Sequence, residues 1–323
     1  MTESVLVTGG SGFIGRHVLE ELRDAGYGVA ALTHASPLPD RPGFEAVDAV
    51  DGDVTRFESL PSFEPYDAVV HLAGVVSVGD SLERPRRTYE VNTTGTVNVF
   101  ERARADDVGS VVYGSSAAIY GIPDELPITE SQSVEPLHPY AASKLAGEQV
   151  AKATANAYEL DVAVVRPFTT YGPGQRSDNL IPHVVSQLQS GADVLELGNL
   201  SPTRDFVYVR DVASAIRTVV DSDRQAADEG TTDDSPTAAD STADVYNVGS
   251  ESETSVREVV ERLRSLMESD ASIESTKKRD ERVEIPRMVA DCSRLKRLGW
   301  RPEFDLESGL EQTIAQEDSQ KHE

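Results

Sequence analysis

The sequence predicts a doubly wound α/β protein, a parallel sheet covered by helices with a smaller lobe towards the C-terminus. Three observations lead there. Short apolar runs alternate with helix-period segments through the first half. A glycine-spaced turn follows the first run and opens the first helix. After Pro167 the regular alternation gives way to turn-rich text such as TTYGPGQRSDN and LGNLSPTRDF.

Each element has a local reason. Ser4 to Thr8 is a short apolar strand ending in glycines. Ile14, Val18, Leu19 and Leu22 then recur near period 3.6, and Ala25-Gly26 stops that helix. Gly28 to Thr33 and Asp67 to Leu72 read as further strands, the latter followed by a helix around Tyr89 to Arg104. Ser110 to Tyr113 is a strand, Tyr140 to Glu159 a helix, and Val162 to Arg166 another strand. Strands this apolar, separated by helices, are buried on both faces of a parallel sheet. Val245 to Gly249 reads as one more strand, and Ser255 to Met267 as an amphipathic helix with Ser255 as its N-cap.

These elements predict a dinucleotide-binding domain over residues 1–173, with returns near 206–220 and 245–249. A substrate-binding lobe is expected over 174–323. Asp221 to Asp244 contains no Val, Ile, Leu or aromatic residue. It is expected to be a flexible acidic surface loop, because it cannot bury enough to offset its ordering entropy.

The 323 residues carry 56 Asp+Glu against 30 Lys+Arg, a formal charge of −26. Such a surface repels phosphate, which argues against nucleic acid as a partner. Only six of the basic residues are Lys. An acidic excess with scarce Lys resembles proteins of salt-loving organisms, because dense like charge destabilises a compact state unless salt screens it. The longest apolar runs, such as Val162 to Val165, are far short of the roughly 20 residues that span a bilayer. No membrane span or signal peptide is expected. The lone Cys292 excludes an internal disulfide and a cysteine-based zinc site.

Chemistry concentrates in two places. The first is Gly9-Gly10-Ser11-Gly12-Phe13-Ile14-Gly15, with glycines at every third position. Between a strand and a helix, that spacing lets backbone approach a pyrophosphate at a helix N-terminus. NAD calls for an acid at the end of the second strand, to bind ribose hydroxyls. Thr33 stands there instead, followed by His34, so NADP is possible, with Arg16 and His34 as candidates to meet a 2′-phosphate. Gly52-Asp53-Val54 follows a presumed strand and can place a carboxylate near adenine. His71-Leu72-Ala73-Gly74 ends a strand in small residues, where backbone passes close to a ligand. The expected cofactor contacts are therefore Gly9, Gly12, Phe13, Ile14, Gly15, Thr33, His34, Asp53, Val54, Leu72, Ala73 and Gly74, with Tyr140 and Lys144.

The second is Ser116 with Tyr140 and Lys144. Tyr140 and Lys144 are four apart, on one helix face. The ammonium is expected to lower the phenol pKa and make Tyr140 a usable base near neutral pH. Ser116 follows a strand, and strand C-termini line the ligand crevice of a parallel sheet.

In order, TGGSGFIG, GDV, HLAG, SSAAIYG, YAASK, RPFTTYGPG, TRDFVYVRD and YNVGS carry a resemblance to the extended short-chain dehydrogenase/reductases. The chain resembles their nucleotide-sugar epimerase/dehydratase group from about Val5 to Thr313. The resemblance implies a Rossmann fold, NAD as cofactor and a cytoplasmic homodimer. It implies Tyr140 as acid/base, Lys144 as its partner and ribose ligand, and Ser116 at the reacting sugar oxygen. Ser115 is the less favoured occupant of that last role, and Asn92 is structural. Asn179 resembles a nucleotide-sugar contact. Arg204 resembles a diphosphate ligand, where a planar fork suits phosphate. Arg279 or Arg282 is the candidate for a second one.

The departures narrow the activity. Sugar 4,6-dehydratases of this group carry an acidic pair where this chain has Ala117 and Ala118. The expectation is therefore a nucleotide-sugar 4-epimerase, with a 4-keto-sugar reductase as the alternative and a non-catalytic member as a weaker one.

Overall fold

A computed structural model describes residues 3–40, 43–158, 160–228, 243–275 and 284–320. Arg279 and Arg282 lie outside the described residues.

The chain opens with β1 (Ser4–Thr8), α1 (Phe13–Asp24), β2 (Gly28–Thr33), β3 (Asp48–Asp51) and β4 (Ala68–His71). One helical run follows: α2 (Val78–Glu83), α3 (Pro85–Tyr89), a π-turn at Glu90–Thr94, and α4 (Gly95–Ala105). Then come β5 (Ser110–Gly114), a 3₁₀ turn at Ala117–Tyr120, α5 (Pro139–Tyr158) and β6 (Asp161–Pro167).

A second set of elements begins with β7 (Thr169–Tyr171), α6 (Leu180–Gln189), β8 (Val194–Leu197), β9 (Thr203–Tyr208) and α7 (Val209–Asp228). The chain then forms β10 (Asp244–Val248), β11 (Glu253–Ser255), α8 (Val256–Leu266) and β12 (Ser272–Ser275). It ends with α9 (Ser293–Arg297) and α10 (Leu306–Gln320).

Seven strands form one sheet in the order β10-β6-β5-β4-β1-β2-β3. Every pairing in it is parallel. The chain leaves β1 towards β2 and β3, then returns to place β4 on the other side of β1. That reversal opens a crevice outside the C-termini of β1 and β4, where open α/β sheets bind ligands.

Strand alternation builds two cores from one sheet. Val111 and Tyr113 of β5 pack with Val99 and Phe100 of α4 and Ala151 of α5. Val112 packs on the opposite face with Val212 and Ile216 of α7. A third core lies under the smaller sheets β11-β9-β7 and β12-β8, with Ile181, Val184, Val260 and Leu310.

Ser255 caps α8 as its sequence implies, in a capping box with Glu258. The acidic stretch differs from expectation at its start. Residues 221–228 continue α7 as helix, and Gln225, Ala226 and Ala227 are residue types that helices accept. Residues 229–242 of that expected loop lie outside the described residues. At its far end Ala243 is buried and Asp244 begins a sheet strand.

Candidate active site

The crevice is a cleft of about 680 Å³. One wall is the turn after β1. Gly9 has φ +71, and a Cβ there would sit 2.7 Å from the Ala73 nitrogen. A Cβ on Gly15 would sit 2.1 Å from the Gly9 carbonyl. The turn therefore closes onto both β4 and its own helix only with glycine. Gly12 caps α1 with no side-chain hydrogen bond, and no acidic residue occupies the first turn. The first backbone N–H groups of α1 consequently suit an anion. Gly12, Phe13, Ile14 and Gly15 line this wall, with Leu72, Ala73 and Gly74 opposite.

His34, Asp53 and Val54 line the far end. Asp53 accepts hydrogen bonds from Thr55 N (2.9 Å) and Thr55 Oγ1 (2.8 Å). Burial works against the Asp53 carboxylate, but these bonds and nearby His34 hold its pKa below the usual value. Thr33 does not line the cleft. Its hydroxyl lies 3.4 Å from the Val50 carbonyl and donates to neighbouring β3. Arg16 does not line the cleft either. Its guanidinium donates to Gly174 O (3.0 Å) and Gly12 O (3.3 Å), tying the glycine turn to the turn after β7.

Ser116, Tyr140 and Lys144 all face the cleft. Ser116 caps the 3₁₀ turn, its Oγ accepting from Ala118 N at 3.2 Å. Tyr140 lies in the first turn of α5, and Lys144 one turn on. Lys144 is 3% exposed, donates to Gly114 O at 2.7 Å, and lies 5.2 Å over the Tyr113 ring. Burial lowers its pKa to about 8, with Glu148 opposing. Tyr140 departs from expectation. Its pKa is raised, because burial outweighs the hydrogen bond with Ser116 that lowers it. The Lys144 ammonium is aimed at the Gly114 carbonyl.

A buried polar chain links the two walls. Ala73 N donates to Thr8 Oγ1 (3.2 Å), and Thr8 Oγ1 lies 2.7 Å from His71 Nδ1. His71 Nε2 is 3.0 Å from Thr96 Oγ1, which itself donates to Asn92 O. Thr96 has spent its proton, so Nε2 must donate and Nδ1 must accept. His71 is thus neutral with the proton on Nε2, and burial with Lys144 nearby lowers its pKa to about 3. Asn92, in the π-turn, donates to Ser143 Oγ, and Ser143 Oγ donates to the Tyr140 carbonyl. The structural role expected for Asn92 corresponds to this position.

Asn179 and Arg204 line the cleft from the second set of elements. Asn179 is the N-cap residue of α6, and Arg204 stands on β9. His138, Arg87 and Arg176 are among the lining residues that the sequence reading did not single out. The His138 ring stacks on Tyr140 at 5.9 Å and 8°. Arg87 lines the cleft, and so does Arg176, which pairs with Asp178 (2.7 Å) and with Asp80 across the mouth (3.4 Å). His138 is signalled only by its place two residues before Tyr140, and Arg176 only by the turn-rich text around it.

The fold, the glycine turn and the Ser-Tyr-Lys cluster define a dinucleotide-dependent enzyme of the extended short-chain dehydrogenase/reductase type. Residues 5–249 match the model of the NAD dependent epimerase/dehydratase family, and the chain belongs to that family. It is 30% identical to a putative UDP-glucose 4-epimerase of Methanocaldococcus jannaschii, over 96% of this chain and 97% of that one. It is 32% identical to a GDP-6-deoxy-D-mannose reductase of Pseudomonas aeruginosa, over the whole of both chains. Among solved structures, MoeE5 in complex with UDP-glucuronic acid and NAD superposes with a TM-score of 0.83 at 30% identity, covering 98% of this chain and 99% of that one.

Proposed function

We propose that this chain is a nucleotide-sugar 4-epimerase acting by transient oxidation at C4. The observation that carries the reading is the convergence of Ser116, Tyr140 and Lys144 on the cleft whose other wall is the glycine turn. A nicotinamide dinucleotide, when bound, supplies the hydride acceptor and donor. The cleft fits such a group: the Gly9 and Gly15 contacts leave backbone close to the diphosphate position, and α1 presents uncapped N–H groups there.

The protein's part is proton transfer and positioning. Tyr140, once deprotonated, takes the proton of the sugar 4-hydroxyl and returns it after the 4-keto sugar has turned over; its raised pKa puts this step on the ascending limb of the pH profile. Ser116 holds the reacting oxygen beside the phenol. Lys144 supplies positive charge at the same strand end, and Asn179 and Arg204 hold the nucleotide diphosphate. Arg279 and Arg282 remain candidates for a further diphosphate contact. His138, stacked on Tyr140, keeps the phenol ring in plane. Ala118 lines the cleft where a dehydratase needs an acid, which supports epimerase over dehydratase.

The relatives that are UDP-sugar 4-epimerases support a UDP-sugar as substrate. The Pseudomonas reductase favours one second reading, an NADPH-dependent 4-keto-sugar reductase on the same residues. Purified protein separates the two. An epimerase carries bound dinucleotide and inverts C4 of a UDP-sugar without added cofactor; a reductase consumes NADPH stoichiometrically. Both retain the complete Ser-Tyr-Lys set, which weighs against a non-catalytic member. His34 at the adenosine end, with no acid at position 33, keeps NADP in view beside NAD. Dissociation constants for both nucleotides decide the preference.

The reading extends to a cytoplasmic homodimer working in concentrated salt. The charge of −26 supports the salt requirement. Equal thermal stability in dilute buffer and in molar KCl would overturn it, and light scattering reports the oligomeric state.

A further inference from the structure

Ser115 stands beside Ser116 but in a different condition. It is 6% exposed, it lines the cleft, and its Oγ has no hydrogen-bond partner among the described residues. A buried hydroxyl without a partner is disfavoured in a folded protein. Ser116 Oγ, by contrast, already accepts from Ala118 N.

The backbone fixes where Ser115 faces. Its N–H donates to Val165 O at 2.8 Å, which continues the β5-β6 ladder one residue past Gly114. Period-two alternation then puts Ser115 on the same face as Tyr113. That is the α5 face, where Lys144 Nζ lies over the Tyr113 ring. Lys144 gives one of its three protons to Gly114 O, the residue before Ser115. An ammonium with further N–H donors on the same face of the sheet as a hydroxyl that can donate or accept matches two adjacent hydroxyls on a ring.

We propose that Ser115 is a ligand-binding residue that completes its hydrogen bonding on a vicinal diol held beside Lys144. The diol belongs either to the ribose of the dinucleotide or to the hexose of the nucleotide sugar. The proposal rests on the functional reading above, which supplies both kinds of ligand.

Ser115→Ala and Ser115→Cys test it, in calorimetric titrations with NAD⁺ and UDP-glucose as separate probes on protein first stripped of bound dinucleotide. Melting of the unliganded variants is followed in parallel. For Ser115→Ala the unliganded melting temperature is expected to stay level or rise, because an unsatisfied buried hydroxyl is removed. Its affinity for one probe is expected to fall about tenfold, the scale of one hydrogen bond. Ser115→Cys, of similar size but a weaker donor, is expected to fall between wild type and Ser115→Ala. A loss confined to NAD⁺ assigns the ribose, and a loss confined to UDP-glucose assigns the hexose. If wild type binds a probe and both variants bind it within about twofold, the proposal is overturned. A clear fall in the unliganded melting temperature of Ser115→Ala also overturns it, since the hydroxyl would then have a partner within the protein. Wild-type protein that binds neither probe overturns the functional reading itself, and this inference with it.

Discussion

The Lys144 ammonium is aimed at the Gly114 carbonyl, 2.7 Å away, one helical turn along α5 from Tyr140. Spacing alone makes these two side chains neighbours on one helix face. Burial then separates their electrostatics: the lysine pKa is lowered to about 8, while the tyrosine pKa is raised. The group that does lower the tyrosine is Ser116, through a hydrogen bond.

Ser116 should therefore control the pH dependence of turnover. Removing its hydroxyl leaves burial unopposed and raises the Tyr140 pKa further. Ser116→Ala is expected to shift the ascending limb of the kcat profile to higher pH and to lower kcat by about 10²-fold or more. An unshifted limb would remove Ser116 from its role.

Lys144→Met separates function from stability. In the fold Lys144 titrates near 8, against 10.5 for an unburied lysine. Between those values the unfolded chain binds more protons, so this group makes stability rise with pH. Lys144→Met is expected to abolish turnover, to melt no lower than wild type at pH 7, and to lose that part of the pH dependence. Melting curves between about pH 7 and pH 10 check it.

The Arg166–Glu148 pair anchors α5 to β6. It is bidentate, at 2.8 and 2.7 Å, with side chains 3% and 0% exposed. Arg166→Met leaves a buried carboxylate unpaired and is expected to destabilise by about 3–5 kcal/mol. The double variant Arg166→Met with Glu148→Gln should recover much of that loss in denaturant titrations. A double variant as unstable as the sum of the singles would contradict the pairing.

Asp211 gives a second pH window, of opposite sign to that of Lys144. Its carboxylate accepts from Glu303 N (2.8 Å) and Phe304 N (3.2 Å), yet burial raises its pKa to about 6. The unfolded reference is 3.8. Its contribution to stability is present below that value and is lost as pH rises through about 6. Asp211→Asn should remove this part of the pH dependence, whatever its effect on absolute stability.

Much of this architecture is legible in the sequence because its signals are local. The glycine spacing needs only a turn, Tyr140 and Lys144 need only helical periodicity, and Ser255 with Glu258 needs only a cap. What the sequence hides depends on partners far along the chain. Arg16, a candidate phosphate contact by its place after the third glycine, also donates to Gly174, 158 residues away, which its local sequence does not signal. Thr33 ends its strand at the right place, but β3 takes its hydroxyl. Arg176 reaches the cleft mouth only because the turn after β7 folds against Asp80. The sign of the Tyr140 shift depends on burial, which spacing does not report.

The central claim is transient oxidation at C4 with the hydrogen returned to the same carbon. The direct measurement is NMR of UDP-glucose deuterated at C4, incubated with wild-type protein and with Tyr140→Phe. The account predicts that wild type forms the C4 epimer, keeps the deuterium at C4, and consumes no added cofactor, while Tyr140→Phe binds the sugar without converting it. Inversion by Tyr140→Phe, or loss of the deuterium to solvent during inversion by wild type, would contradict it.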